Sequence, residues 1–172
     1  MPGKTALYPG VRRVMDDFAG LGYGLAICTN KLEGMSVRLL EGLGVAHYFA
    51  AICGGDTFTY RKPDPRHLWE TIVRAGGTPG RSVMIGDSRT DIDTAKAAGI
   101  PMVSWHAGPT VGPLEDVGVF ANVGTDAMEV SKSAADWAYI DAKGKPGVII
   151  FTDSTYAIAI AKADRMKKEI ED

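Results

Sequence analysis

A chain of 172 residues, 45% apolar and 23% charged, has the size and composition of one soluble globular domain with a substantial core. Its net charge of −2 supplies no basic field, which argues against a nucleic-acid or anionic-membrane surface. No apolar run approaches the roughly 20 residues that span a bilayer. The first residues lack the basic and apolar regions of a leader, so the expected location is the cytosol.

The periodicity predicts alternating helices and strands. Val11, Val14, Met15 and Phe18 form a helical stripe over 11–19, ended by Gly20 and Gly22. A short apolar strand follows over 23–28. Residues 32–43 read as a helix, with Leu32, Met35, Leu39 and Leu43 on one face and Gly44 as the stop. Strand 49–53, helix 65–75, strand 82–86, helix 90–98 and strand 101–105 complete this half. Continuous apolar runs of about five residues between helices indicate a parallel sheet covered on both faces. The fold class is α/β, a doubly wound parallel sheet in a flavodoxin-like or Rossmann-like three-layer sandwich.

The character changes after Trp105. Residues 106–118 are rich in Gly and Pro and read as a connection. A strand over 117–123, a helix over 126–139, a turn over 144–147, a strand over 148–152 and a helix over 156–170 follow. Cys28 and Cys53 each lie in an apolar run and read as two free core thiols. The three histidines, His47, His67 and His106, are scattered and read as structural or surface residues.

Three blocks stand at or beside the carboxyl ends of expected strands, where open α/β sheets bind ligands. They are Ala26-Ile27-Cys28-Thr29-Asn30-Lys31, Arg61-Lys62-Pro63-Asp64-Pro65, and Gly86-Asp87-Ser88-Arg89-Thr90-Asp91-Ile92-Asp93. Taken singly, each has an ordinary reading. Thr29-Asn30 could cap a helix, Lys62 could be a solvated lysine, and Asp87 or Ser88 could cap the next helix. Their order and spacing together set residues 8–105 apart.

Those residues resemble a phosphatase of the haloacid dehalogenase-like superfamily. The run Tyr8-Pro9-Gly10-Val11, with Thr29-Asn30-Lys31 and Gly54-Gly55-Asp56-Thr57, is most similar to phosphoglycolate phosphatases. The resemblance implies that Thr29, Asn30 and Lys62 bind phosphate. It also implies that Lys62 serves catalysis and that Asp87 and Asp91 hold Mg²⁺ with hard carboxylate oxygens. The expected partner is a small phosphorylated molecule, or none. In that family these blocks follow an Asp-x-Asp-Gly-Thr motif whose first Asp attacks phosphorus. Only residues 1–7 precede Tyr8, too few for that strand, its nucleophile and a cap domain, so the expectation is a core without them.

Residues from about 117 to 172 resemble part of a periplasmic sugar-binding protein, on Thr125-Asp126, an Ala-rich helix, Gly144-Lys145-Pro146-Gly147 and a strand ending in Thr152-Asp153-Ser154. The chain thus reads as one domain recombined, by engineering or by natural permutation, from a phosphatase-like segment, 1–110, and a binding-protein-like segment, 111–172. If strand 147–152 fills the central slot between strands 24–28 and 82–86, Asp153 becomes a substitute nucleophile, with Thr155 in the acid/base position. The alternative is that Asp153 caps the helix from 156. That helix has an apolar stripe of its own and could support a homodimer. The expected function is a scaffold with a relic phosphate and Mg²⁺ pocket and little turnover, or a weak Mg²⁺-dependent phosphatase using Asp153.

Overall fold

The computed structural model describes residues 5–107, 111–144, 147–152 and 157–171. The chain divides into two compact units. The first comprises residues up to Met84 together with Arg89–Met102, and the second comprises Ile85–Ser88 with residues from Val103 onward.

In the first unit, α1 (Val11–Gly20), β1 (Leu25–Cys28), α2 (Glu33–Gly42), β2 (Phe49–Cys53) and α3 (Pro65–Arg74) follow the expected order. β1 and β2 pair in parallel, with Cys28 opposite Cys53, and both cysteines are free. α3 starts sharply because Asp64 accepts the backbone N–H of Arg66 at 3.0 Å and Pro65 occupies the first turn. Its inner face buries His67, Leu68, Thr71 and Ile72. The Trp69 indole N–H donates to the Ala98 carbonyl at 3.1 Å, tying α3 to α4 (Arg89–Ala98). The core of this unit adds Met15, Val45, Ala51, Cys53, Ile92, Ala95 and Met102.

The second sheet has the order β3–β4–β6–β5, with β3 spanning Met84–Gly86, β4 Met102–Trp105, β5 Gly112–Leu114 and β6 Val119–Val123. β4 and β6 run parallel, while β5 is antiparallel to β6. The region expected to be only a connection therefore holds a short strand, β5, and a 3-10 turn at Glu115–Val117. A buried polar pair stitches the sheet, Ser104 Oγ donating to Asn122 Oδ1 at 2.7 Å. Helices α5 (Ala127–Asp141) and α6 (Ala157–Glu171) pack on each other, with Lys132 Nζ 3.9 Å from Glu169. Asp126 caps α5 by accepting from Met128 and Glu129.

The α/β class with parallel strands holds, in agreement with the sequence. Three expectations do not. β1 and β3 each have one sheet neighbour among the described residues, and the exposed Ile85, at 68%, is not the core residue its apolar run suggested. More consequentially, 147–152 form no strand. Ile149 and Phe151 are 81% and 92% exposed. β propensity alone does not make a strand, which needs a ladder partner and a face to bury. No helix among the described residues is long and apolar enough to cross a membrane.

Candidate functional site

The site is built from two loops that leave parallel strands side by side. The Thr29 N–H donates to the Cys53 carbonyl at 3.0 Å, extending the β1–β2 ladder by one step. The Gly55 N–H then donates to the Lys31 carbonyl at 2.8 Å. The loops touch so closely that a Cβ on Gly54 would lie 2.2 Å from the Glu33 nitrogen, and one on Gly55 would lie 2.7 Å from the Asn30 carbonyl oxygen. Only glycines allow this approach.

Side chains reinforce the same junction. Asp56 Oδ1 accepts the Glu33 N–H at 2.7 Å and so caps α2 from outside the helix. Thr57 accepts the Gly54 N–H at 2.7 Å and donates its own hydroxyl to Glu33. His67, 0% exposed, bonds the Gly54 carbonyl through Nε2 at 2.9 Å and approaches Cys28 Sγ through Nδ1 at 3.5 Å. Burial pushes the His67 pKa down, opposed by its bond to Gly54. Burial pushes the Cys28 thiol up, with the Lys62 charge acting the other way.

A third loop brings in Lys62. Asn30 Nδ2 donates to the Lys62 carbonyl at 2.9 Å, so the loop after β1 is bonded to the loop before α3. Lys62 Nζ lies 2.5 Å from Asp91 Oδ1 in the first turn of α4, and both side chains are nearly buried. Asp64 is paired with Arg66, whose guanidinium also lies 4.4 Å above the Tyr60 ring. The Arg66 hydrogen bonds hold the Asp64 carboxyl down to about 2.

The residues singled out in the sequence thus fall into three groups. Asn30, Lys62 and Asp91 are joined through hydrogen bonds within the first unit, and Thr29 precedes Asn30 in the same loop. Asp87 follows β3 directly, four residues before Asp91. Asp153 and Thr155 lie outside the described residues, and the strand expected to deliver Asp153 is absent, because 147–152 have no ladder partner. Two roles change. The Thr29 backbone N–H is used by Cys53 and is not offered to a ligand, although its hydroxyl, which accepts from the Lys31 N–H at 3.2 Å, retains its proton for donation. Thr29-Asn30 does not cap α2 either, since Asp56 does. Gly54-Gly55-Asp56-Thr57 carries the family likeness and an architectural role as well. Its architectural role had a legible signal, two consecutive glycines straight after a strand, which mark a close backbone approach.

Asp91 belongs to the first unit and Asp87 to the second; a carboxylate of either kind is a hard oxygen donor of the sort Mg²⁺ takes, with water and phosphate oxygens completing its shell. Among the described residues no three His, Cys, Asp or Glu side chains gather as a metal cluster.

Residues 3–105 match the model of the haloacid dehalogenase-like hydrolase family. The chain belongs to that family. It is 59% identical over 110 residues to a phosphoglycolate phosphatase of Mesorhizobium japonicum, covering 64% of this chain and 48% of the relative. Over 117 residues it is 47% identical to the Agrobacterium fabrum phosphoglycolate phosphatase, covering 68% and 50%. The chain spans about half the length of the curated relatives it matches. Among solved structures, a subfamily IA hydrolase of this superfamily from Geobacter sulfurreducens superimposes with a TM-score of 0.54 at 31% identity, over 59% of this chain and 51% of that one. CbbY from Rhodobacter sphaeroides in complex with phosphate gives 0.54 at 26% identity, over 60% and 47%.

Proposed function

We propose that this chain binds small phosphomonoesters of the phosphoglycolate type together with Mg²⁺, in a site of Thr29, Asn30, Lys62 and Asp91, all in the first unit. The observation that carries the reading is the nearly buried Lys62–Asp91 pair, held at 2.5 Å and fixed to the Thr29 loop by Asn30. A buried cation and carboxylate are costly to desolvate, so a pair kept at the mouth of two strand-end loops fits a functional site better than a stability device. The likeness to phosphoglycolate phosphatases supports the substrate class.

In this reading Thr29 donates its hydroxyl to a phosphoryl oxygen. Asn30 holds the Lys62 loop in register. Lys62 places its ammonium against the phosphate while Asp91 keeps that ammonium oriented. Asp91 would offer a carboxylate oxygen to Mg²⁺, which would neutralise phosphate charge when bound, and the family likeness names Asp87 as the second carboxylate to test. Asp153 lies outside the described residues and enters on the sequence alone, as the carboxylate whose removal tests for a nucleophile.

The test is titration of the chain with phosphoglycolate and Mg²⁺, alongside hydrolysis of phosphoglycolate and an aryl phosphate by the chain and by Asp87→Asn and Asp153→Asn variants. Binding with turnover lost in both variants supports a phosphatase using Asp153. Binding without turnover supports a relic pocket. Absence of Mg²⁺-dependent binding overturns the proposal.

A further inference from the structure

The loop that supplies Lys62 carries three cations in close sequence, Arg61, Lys62 and Arg66, and the structure engages only two of them. Lys62 is held by Asp91 at 2.5 Å. Arg66 is held by Asp64 at 2.6 Å and lies against the Tyr60 ring. Arg61 is exposed, and its side chain has no hydrogen-bond or ion-pair partner among the described residues. Its backbone is nonetheless fixed, because its carbonyl accepts the Asp64 N–H at 2.9 Å.

The facing loop repeats the pattern. Lys31 is exposed and its ammonium has no partner among the described residues. Two carboxylates of these loops serve other donors. Asp56 accepts from the Glu33 N–H, and Glu33 accepts from Thr57. The Lys31 backbone is held at both ends, by its N–H to Thr29 and by its carbonyl to Gly55. The Asn30–Lys62 bond joins the two loops at the residues immediately beside Lys31 and Arg61.

Two unpaired cations on hydrogen-bonded backbone, Lys31 and Arg61, therefore stand next in the chain to Asn30 and Lys62, the bonded pair assigned to the phosphate site. We infer that Arg61, assisted by Lys31, receives a second anionic group of the bound phosphomonoester, a carboxylate, and so selects phosphorylated acids over neutral phosphate esters. This rests on the phosphate site proposed above. A guanidinium presents a planar fork that matches a carboxylate with two parallel hydrogen bonds, which a lysine cannot reproduce. With no ion pair at Arg61 among the described residues, its guanidinium is open to a substrate carboxylate.

The test compares binding of phosphoglycolate with that of ethyl phosphate, a close analogue without the carboxylate, by titration calorimetry of the full chain at constant ionic strength with Mg²⁺ present. The expected preference is about tenfold for phosphoglycolate, the size of one charge-assisted contact. Arg61→Ala brings the ratio near one, and Arg61→Lys restores only part of it. Arg81→Ala, which removes an equal charge from a 3-10 turn elsewhere in this unit, keeps the ratio. A preference that survives Arg61→Ala overturns the inference, as does equal loss in Arg81→Ala, which would mean bulk charge alone. Binding of both esters without preference overturns it while leaving the phosphate site standing. If neither ester binds, the site and the inference fall together.

Discussion

Lys62 and Asp91, separated by 29 positions in the chain, meet at 2.5 Å with side chains only 10% and 6% exposed. The pair joins the loop before α3 to the first turn of α4, so it fastens two helices as well as orienting an ammonium. Removing one partner leaves the other charge in a largely dry position. Lys62→Met should therefore destabilise the fold by about 3 kcal/mol. Lys62→Met combined with Asp91→Leu should recover much of that loss, and urea unfolding of the three proteins measures the difference. Equal destabilisation in the single and double variants would show that packing, not charge, dominates at this point.

His67 gives the fold a pH dependence. Its pKa is lowered from 6.5, chiefly by burial. The unfolded chain therefore takes up this proton at higher pH than the folded chain does. The associated stability is complete above about pH 6.5 and declines as the pH falls below it. The urea midpoint of the unaltered chain should drop between pH 7.5 and 5.5 more steeply than that of His67→Gln. Parallel slopes would assign the dependence to other groups.

Gly54 and Gly20 offer a matched comparison. A methyl group at Gly54 would overlap the Glu33 backbone, whereas one at Gly20, in the last turn of α1, meets nothing within 4 Å. Gly54→Ala should cost about 3 kcal/mol through forced separation of the two loops. Gly20→Ala should be neutral or gain about 0.5 kcal/mol from reduced freedom of the unfolded chain. Thermal unfolding of both variants decides between loop contact and general intolerance of substitution.

Asp56→Ala removes the acceptor that serves the Glu33 N–H at 2.7 Å. The expected loss is about 1 kcal/mol, the usual value of a helix cap. Amide exchange at the start of α2 should accelerate in this variant while that of α3, capped separately by Asp64, is unchanged.

The segment 147–152 separates two pictures of the second unit. With Ile149 and Phe151 exposed, the double change Ile149→Lys and Phe151→Glu should alter stability by less than about 0.5 kcal/mol while reducing self-association. A buried central strand would not tolerate two charges. Unfolding midpoints together with light scattering provide the measurement.

The elements up to Trp105 were legible because each local signal agreed with its neighbours. Asp64-Pro65 starts α3, Gly44 ends the α2 region, and the apolar stripes have helical spacing. Thr29, Asn30, Lys62 and Asp91 were legible as strand-end residues for the same reason. What escaped the sequence depends on partners distant along the chain. That Cys53 takes the Thr29 N–H, that Asp56 caps α2 and that Asn30 bonds the Lys62 carbonyl are tertiary facts without local signatures. The run 148–152 misled for the converse reason. Its composition satisfies every local criterion of a strand, yet strand formation requires a neighbouring backbone, which no composition specifies.

The contact at Gly54 and Gly55 carries a lesson for protein building. Since the loops after β1 and β2 interlock atom against atom, neither holds its shape without the other. Grafting the Thr-Asn-Lys turn alone onto a foreign scaffold would transplant a sequence and lose its conformation. The smallest portable unit is both loops, 29–33 and 53–57, carried together with the paired strands that set their register.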